Sequence, residues 1–276
     1  MVRLPFWKMH GAGNDFMLFD DRQGRFPAHA RDWMAAVARR RTGVGCDGVI
    51  LIQPSATRDF RMRFFNPDGA EVAMCGNGAR CVARLARDLG AAGDTVRIET
   101  TAGTLRADVS DGEVTVYMTQ AAVRRPSAVL EVEGRALRYT LVDTGVPHAV
   151  LRAGEVSFTK NPVGVVGPAV RYHPDFAPDG TNVNFVTEID GHTIAVRTYE
   201  RGVEAETLAC GTGVTACAVA AVLWNAASPP IRVHTAGGDV LTVTFRSGPD
   251  GFADVRLTGP AVYVYRGELE YEDCDV

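Results

Sequence analysis

Between Thr95 and Thr119 apolar and polar residues alternate, and the alternation breaks at Ala102-Gly103 and again at Asp111-Gly112. A period of two with turn residues at its breaks predicts antiparallel hairpins. The stretch from Asp239 to Gly259 repeats the pattern. Two other segments run at helical spacing. After Cys75, the apolar Val82, Leu85 and Leu89 fall on one side, and Gly90 stands where a helix C-cap belongs. From Val214 to Leu223 the chain is apolar on every side, which predicts a helix buried all round, as it would be inside a curved sheet. The expected class is α/β (α+β), each half a strand-rich layer closed over one helix that starts at a Cys-Gly-x-Gly turn.

The halves echo one another. CGNGARC begins at Cys75 and CGTGVTAC at Cys210, 135 positions later. Arg63-Phe64-Phe65-Asn66 starts 12 residues before the first cysteine, and Arg197-Thr198-Tyr199-Glu200-Arg201 starts 13 before the second. Further back, GNDFMLF (13–19) has a weaker echo in GVPHAVL (145–151), 62 and 65 residues ahead of their motifs. One CGxG is weak evidence. Two with matched flanks and matched lead-in distances indicate a duplicated domain.

Composition narrows the chemistry. The 276 residues suffice for two ordinary domains, and 46% hydrophobic with 22% charged residues is a globular balance. A net charge of −4 gives no reason to expect nucleic acid or an anionic membrane as a partner. The N-terminal residues carry no signal-peptide run, and the apolar stretch from Val214 to Trp224 is shorter than the roughly 20 residues of a membrane span. A cytoplasmic protein with reduced cysteines is expected.

A cysteine at a helix start has its thiolate stabilised by unpaired N–H groups and the helix dipole, which lowers its pKa below about 8.5. The N–H groups of Gly76-Asn77 and Gly211-Thr212 can bind a carboxylate. If two such ends meet across one cleft, a sulfur stands on each face of a bound α-carbon. A thiolate then removes the α-proton on one face and a thiol delivers another on the opposite face, while the N–H groups hold the carboxylate into which charge spreads. Pyridoxal phosphate would need a Schiff-base lysine, and neither Lys8 nor Lys160 has a phosphate-binding context. A metal is not expected either, since C-x5-C with C-x6-C departs from zinc spacing and no H-x3–5-H pair occurs. Cys46, Cys81, Cys217 and Cys274 read as structural.

The segments KMHGAGNDF (8–16), RTGVGCDGVILI (41–52), FFNPDGAEVAMCGNGARC (64–81), GTNVNF (180–185), YERGVEAETLACGTG (199–213) and LTGPAVYVY (257–265) together resemble the diaminopimelate epimerase family over essentially the whole chain. Proline and hydroxyproline racemases of the same fold resemble CGHG where CGNG stands here, and phenazine-type isomerases lack the first cysteine. The resemblance implies two pseudo-symmetric domains, each a curved sheet or barrel around a central helix, with the active site between them. The last strand is expected to return to the first domain, giving 1–119 plus 263–276 and 120–262. It implies cofactor-independent interconversion of LL- and meso-diaminopimelate, for lysine and peptidoglycan synthesis, by a homodimer. Cys75 and Cys210 carry over as the catalytic pair. Asn14, Asn66, Gly76, Asn77, Asn182, Glu200, Arg201, Gly211 and Thr212 carry over as substrate contacts. His148 and Glu200 match positions that tune the cysteines, and Tyr265 matches a dimer-interface tyrosine.

The chain departs from the family at Val146, where Asn is frequent before Pro-His, at Gly48, where the family has glutamine, and in one extra residue between Glu200 and Cys210. These bear on the distal end of the substrate. A related racemase of another amino acid, such as histidine, is the alternative, and a thiol redox switch or scaffold protein is the non-enzyme reading.

Overall fold

The computed structural model describes residues 1–72, 74–156, 161–248 and 251–272, so Lys160 and Cys274 lie outside the described residues. The chain divides into two compact units, residues 1–116 with 259–276, and residues 117–258. The first contains β1 (Val2–Gly11), β2 (Asn14–Asp20), α1 (Arg31–Ala38), β3 (Gly48–Gln53), β4 (Phe60–Phe65), β5 (Glu71–Val72), α2 (Gly76–Asp88), β6 (Thr95–Thr100), β7 (Gly103–Ser110) and β8 (Glu113–Tyr117). The second contains β9 (Ala122–Val132), β10 (Arg135–Asp143), β11 (Pro147–Arg152), α3 (Pro162–Arg171), β12 (Asn182–Asp190), β13 (Thr193–Glu200), β14 (Ala205–Thr207), α4 (Gly211–Leu223), β15 (Ile231–Thr235), β16 (Val240–Gly248) and β17 (Gly251–Pro260). Strand β18 (Val262–Tyr271) then returns to the first unit and pairs antiparallel with β1 from Val2↔Tyr271 to His10↔Val262.

The two units repeat one ladder. In the first, the order is β18, β1, β2, β3, β4, β6, β7, with β2–β3 and β4–β6 parallel and the rest antiparallel. In the second it is β9, β10, β11, β12, β13, β15, β16, with β11–β12 and β13–β15 parallel. A parallel pair needs a long crossover, and a helix makes each one here. Thus α1 joins β2 to β3 and α2 lies between β4 and β6, as α3 joins β11 to β12 and α4 lies between β13 and β15.

Among the described residues each unit therefore has a second helix of eight residues or more besides the one expected from the sequence. The sheets pack α2 and α4 against one face and α1 and α3 against the other. Strand β3 shows why. Val49 and Leu51 pack with Met34 and Ala38 of α1, while Ile50 on the alternate face approaches Gly78 of α2. Burying each such side chain stabilises by roughly 1.5–3 kcal/mol, so a strand apolar on both faces needs a cover on both. The helix α3 covers Ala149, Leu151, Val183 and Phe185 in the same way through Val163, Val166 and Val170.

Helix α4 is buried at every residue from Gly213 to Ala221, while α2 keeps a partly exposed side. Gly90, at φ +66°, closes α2, and Asn225, at φ +56°, closes α4 in the same left-handed conformation. Among the described residues no helix is long and apolar enough to cross a membrane.

Candidate active site

The registers define equivalent positions. Phe16 pairs with Gly48 in the first unit and His148 with Asn182 in the second. Phe65 pairs with Glu71 at the base of one hairpin, Tyr199 with Glu206 at the base of the other. Each hairpin is braced by a forked ion pair, Arg63–Glu71 at 2.9 and 2.7 Å and Arg197–Glu206 at 2.6 and 2.6 Å. Asn66 therefore corresponds to Glu200 and Asn14 to Val146, and the extra residue before Cys210 sits in the second hairpin's turn.

In the first unit Cys75 is the N-cap residue of α2, with extended backbone (φ −135°, ψ 122°), and its side chain makes no capping hydrogen bond. N-caps are normally filled by oxygen-bearing side chains that satisfy the first-turn N–H groups. The Cys75 thiol does not take that role. A Cβ on Gly76 would meet nothing within 4 Å, whereas one on Gly78 would come within 2.8 Å of Ile50 Cδ1. The second glycine of the motif is thus a packing requirement and the first leaves the backbone open. Asn77, in the first turn, donates to Asn14 Oδ1 at 2.5 Å and accepts from the fully buried Arg80 at 3.0 Å. Asn14 donates in turn to Asp47 Oδ2 at 3.1 Å. Asp47 and Asp15 share Arg40, and Asp15 also pairs with Lys8 at 2.6 Å. Burial alone would raise the pKa of Asp15, but hydrogen bonds from Arg40 and Lys8 outweigh it and hold the carboxyl below its ordinary value. Asn66 sits in the 66–70 turn, its carbonyl accepting from Gly69 N and its N–H donating to Ala70 O. Lys8, one of two lysines, is committed to this network, donating also to the Gly45 carbonyl.

In the second unit Cys210 is the N-cap of α4 (φ −118°, ψ 110°), again without a side-chain cap bond, and its sulfur lies 3.4 Å from Thr212 Oγ1. Thr144 Oγ1 donates to the Thr212 carbonyl at 3.1 Å and ties the β10–β11 loop to the helix start. Asn182 brackets two segments, its Nδ2 donating to Pro147 O at 3.1 Å and its Oδ1 accepting from Arg201 N at 2.9 Å. That bracket fixes the Glu200-Arg201 corner, and Glu200 Oε2 accepts from Thr207 Oγ1 at 2.8 Å. His148 is fully buried. Burial first, then the nearby Arg201 charge, pushes its pKa down to about 3, so the imidazole is neutral. Its Nδ1 lies 3.1 Å from Asn184 Nδ2.

Three further cysteines among the described residues lie in the core. Burial pushes the Cys81 thiol up to about 12, Cys46 to about 11, and Cys217 well above its ordinary value. All three are protonated core side chains. Tyr265 lies on β18, 45% exposed, its ring edge against Phe6. Among the described residues no group of three His, Cys, Asp or Glu side chains could hold a metal ion. Asn184 was not singled out from the sequence. Its signal was a second amide inside an otherwise apolar strand, Asn182-Val-Asn184-Phe-Val.

A sequence model of diaminopimelate epimerase matches residues 6–124 and 140–264. The chain belongs to the diaminopimelate epimerase family. It is 41% identical over 280 residues to the diaminopimelate epimerase of Aquifex aeolicus, covering 98% of this chain and 99% of that one. It is 41% identical to that of Moorella thermoacetica (96% and 99% covered) and to that of Archaeoglobus fulgidus (86% and 88%). The fold is shared with a phenazine biosynthesis protein of the PhzF family from Bacillus anthracis, at TM-score 0.73, 16% identity and 98% and 100% coverage. It is shared also with a probable proline racemase from Agrobacterium radiobacter, at TM-score 0.71, 17% identity and 99% and 94% coverage. Like other diaminopimelate epimerase family members, the chain is an isomerase.

Proposed function

We propose that the chain converts LL-2,6-diaminopimelate to meso-diaminopimelate without a cofactor, Cys75 and Cys210 acting as the acid/base pair. The observation that supports this most is the repetition of one feature: a non-capping cysteine at the N-cap of the central helix in each of two duplicated units. In this reading the two domains close on one substrate, whose reacting carboxylate takes the first-turn N–H groups of Gly76-Asn77 and Gly211-Thr212. One thiolate takes the Cα proton and becomes a thiol, while the opposite thiol gives its proton to the other face and becomes a thiolate. The pair ends with its protonation exchanged, and the carbanion between the two steps is held by fixed N–H dipoles. Glu200 holds the reacting ammonium and Arg201 the distal carboxylate, with Asn14, Asn66 and Asn182 shaping the pocket. The enzyme would then serve lysine and peptidoglycan synthesis in the cytoplasm, as a homodimer built on β18, where Val262, Val264 and Tyr265 are exposed.

A second reading is favoured by one observation. Val146 stands where the first unit has Asn14, and Gly48 where the second has Asn182, so each unit lacks one amide the other carries. A racemase of a different amino acid would tolerate that loss. Deuterium uptake at Cα in D2O across a panel of amino acids, under reducing conditions with no added cofactor, decides between them. Uptake into diaminopimelate is expected. Uptake into another amino acid alone would move the substrate, and activity that vanishes with a chelator would sink the mechanism.

A further inference from the structure

The two units differ most sharply where their registers make them equivalent. Ile50 pairs with Phe64 and Asn184 with Thr198, so Phe16, Ile50 and Phe64 correspond to His148, Asn184 and Thr198. The first trio is apolar, with the Phe16 and Phe64 rings edge to face at 6.0 Å. The second trio is polar and buried, His148 and Asn184 fully and Thr198 nearly so. Thr198 Oγ1 donates to Asn184 Oδ1 at 2.9 Å, and Asn184 Nδ2 reaches His148 Nδ1 at 3.1 Å. Burying a polar atom without a hydrogen-bond partner is costly, and the first unit shows that the fold accepts hydrocarbon at all three positions.

The polar trio lies at the helix start that carries Cys210. A Cβ on Gly213 would lie 2.5 Å from Asn184 Oδ1 and 3.4 Å from Cys210 Sγ, so amide and thiol flank the same glycine. The amide's orientation follows from its surroundings. Its nitrogen lies 3.5 Å from the Ala149 carbonyl oxygen and its oxygen receives the Thr198 hydroxyl. The nitrogen therefore donates to His148, whose Nδ1 accepts and whose proton must sit on Nε2. That Nε2 is buried and has no hydrogen-bond partner among the described residues.

We infer that Asn184 is a positioning residue: held by Thr198, it locks His148 in the Nε2–H tautomer and so equips the Cys210 half of the site, and not the Cys75 half, with a neutral hydrogen-bond donor. The inference rests on the proposed role of Cys210 in proton transfer. Burial and the Arg201 charge outweigh the opposing pull of Asp143 and keep His148 uncharged, so it donates a hydrogen bond without giving up the proton. The two cysteines are then unlike by construction, one beside hydrocarbon and one beside an oriented imidazole.

Nitrogen-15 NMR of histidine-labelled protein reads the tautomer directly, and α-proton exchange of diaminopimelate reads the chemistry. Wild type should show His148 with its proton on Nε2. Thr198→Val and Asn184→Leu should mix or reverse the tautomer and lower kcat by about tenfold, the size of one lost hydrogen bond, with little change in KM. Thr198→Ser should restore both signals. If Asn184→Leu does not fold, Thr198→Val, which removes a single hydroxyl, carries the test. A proton on Nδ1 in wild type overturns the inference, and so does a tautomer change that leaves kcat at the wild-type value. Wild type that exchanges no α-proton while holding the Nε2–H tautomer overturns the proposed function instead, and with it the catalytic part of the inference.

Discussion

A Cβ on Gly48 would lie 2.4 Å from Cε2 of Phe64, so the phenylalanine ring occupies the space a side chain at position 48 would enter. The absence of glutamine here is therefore built into the packing of β3 against β4. Gly48→Gln should lower stability by about 1–3 kcal/mol, the range for overpacking a filled core, as measured by urea denaturation. Val146, at a partly exposed loop position, has no such constraint. Val146→Asn should fold normally and raise kcat/KM for diaminopimelate relative to other amino acids. No change in that ratio would show that the lost amide is not what sets substrate choice.

The four helix cysteines should separate cleanly. Cys75→Ala and Cys210→Ala each remove a non-capping thiol at a helix start, so circular dichroism should report folded protein. Each should lose turnover by at least the 10²–10⁴-fold range of one acid/base group. Cys81→Ala and Cys217→Ala should keep turnover and lose about 1–3 kcal/mol as cavity mutations in fully buried helix faces. Near-normal turnover in either N-cap variant would refute the two-base reading.

Substrate-free protein treated with oxidant should form a Cys75–Cys210 disulfide and lose activity, and reductant should restore it. This follows from the proposed two-base arrangement, in which the sulfurs flank one α-carbon and would be close enough to join once the substrate is gone. Peptide mapping that finds Cys75 joined to Cys81, or Cys210 to Cys217, would contradict that arrangement.

Stability should fall as pH is lowered below about 6.5, and His148 should be one cause. Its folded pKa of about 3 lies below the ordinary 6.5, so between those values the unfolded chain binds a proton that the folded protein refuses. Stability is then complete above 6.5 and declines toward pH 3, by at most about 1.4 kcal/mol per unit. The paired carboxylates Asp15, Asp20 and Glu71 have lowered pKa values and add their loss only below their ordinary 3.8 to 4.5. Thermal melts of His148→Gln should therefore be flatter than wild type between pH 6.5 and 5. An unchanged slope would show that His148 does not titrate as its burial requires.

The duplication and the two helix starts were legible in the sequence because Cys-Gly-x-Gly occurs twice with matched lead-ins. The hairpin β6–β7 and the closing turn at Gly90 announced themselves through periodicity and glycine. Helices α1 and α3 did not. Helix α3 contains Pro162, Gly164, Gly167 and Pro168, a composition that argues against a helix, and it exists because β11 and β12 need a second cover. The parallel pairings escaped because nothing local distinguishes a strand's neighbour some thirty to forty residues away. Asn184 escaped for a related reason. Its meaning lies in the contrast with Ile50, and that equivalence exists only once the two registers are laid side by side.

Strand β18 has a consequence for how the protein is made. It pairs with β1 along nearly its whole length, yet it follows β1 by about 250 residues. The second unit is one unbroken stretch of chain and can fold as soon as it leaves the ribosome. The first unit is begun earlier and finished later, and until β18 arrives the outer edge of β1 offers unpaired N–H and C=O groups to any passing strand. The polypeptide that is translated first is thus the last to be sealed, and its vulnerability during synthesis lasts as long as the second unit takes to emerge.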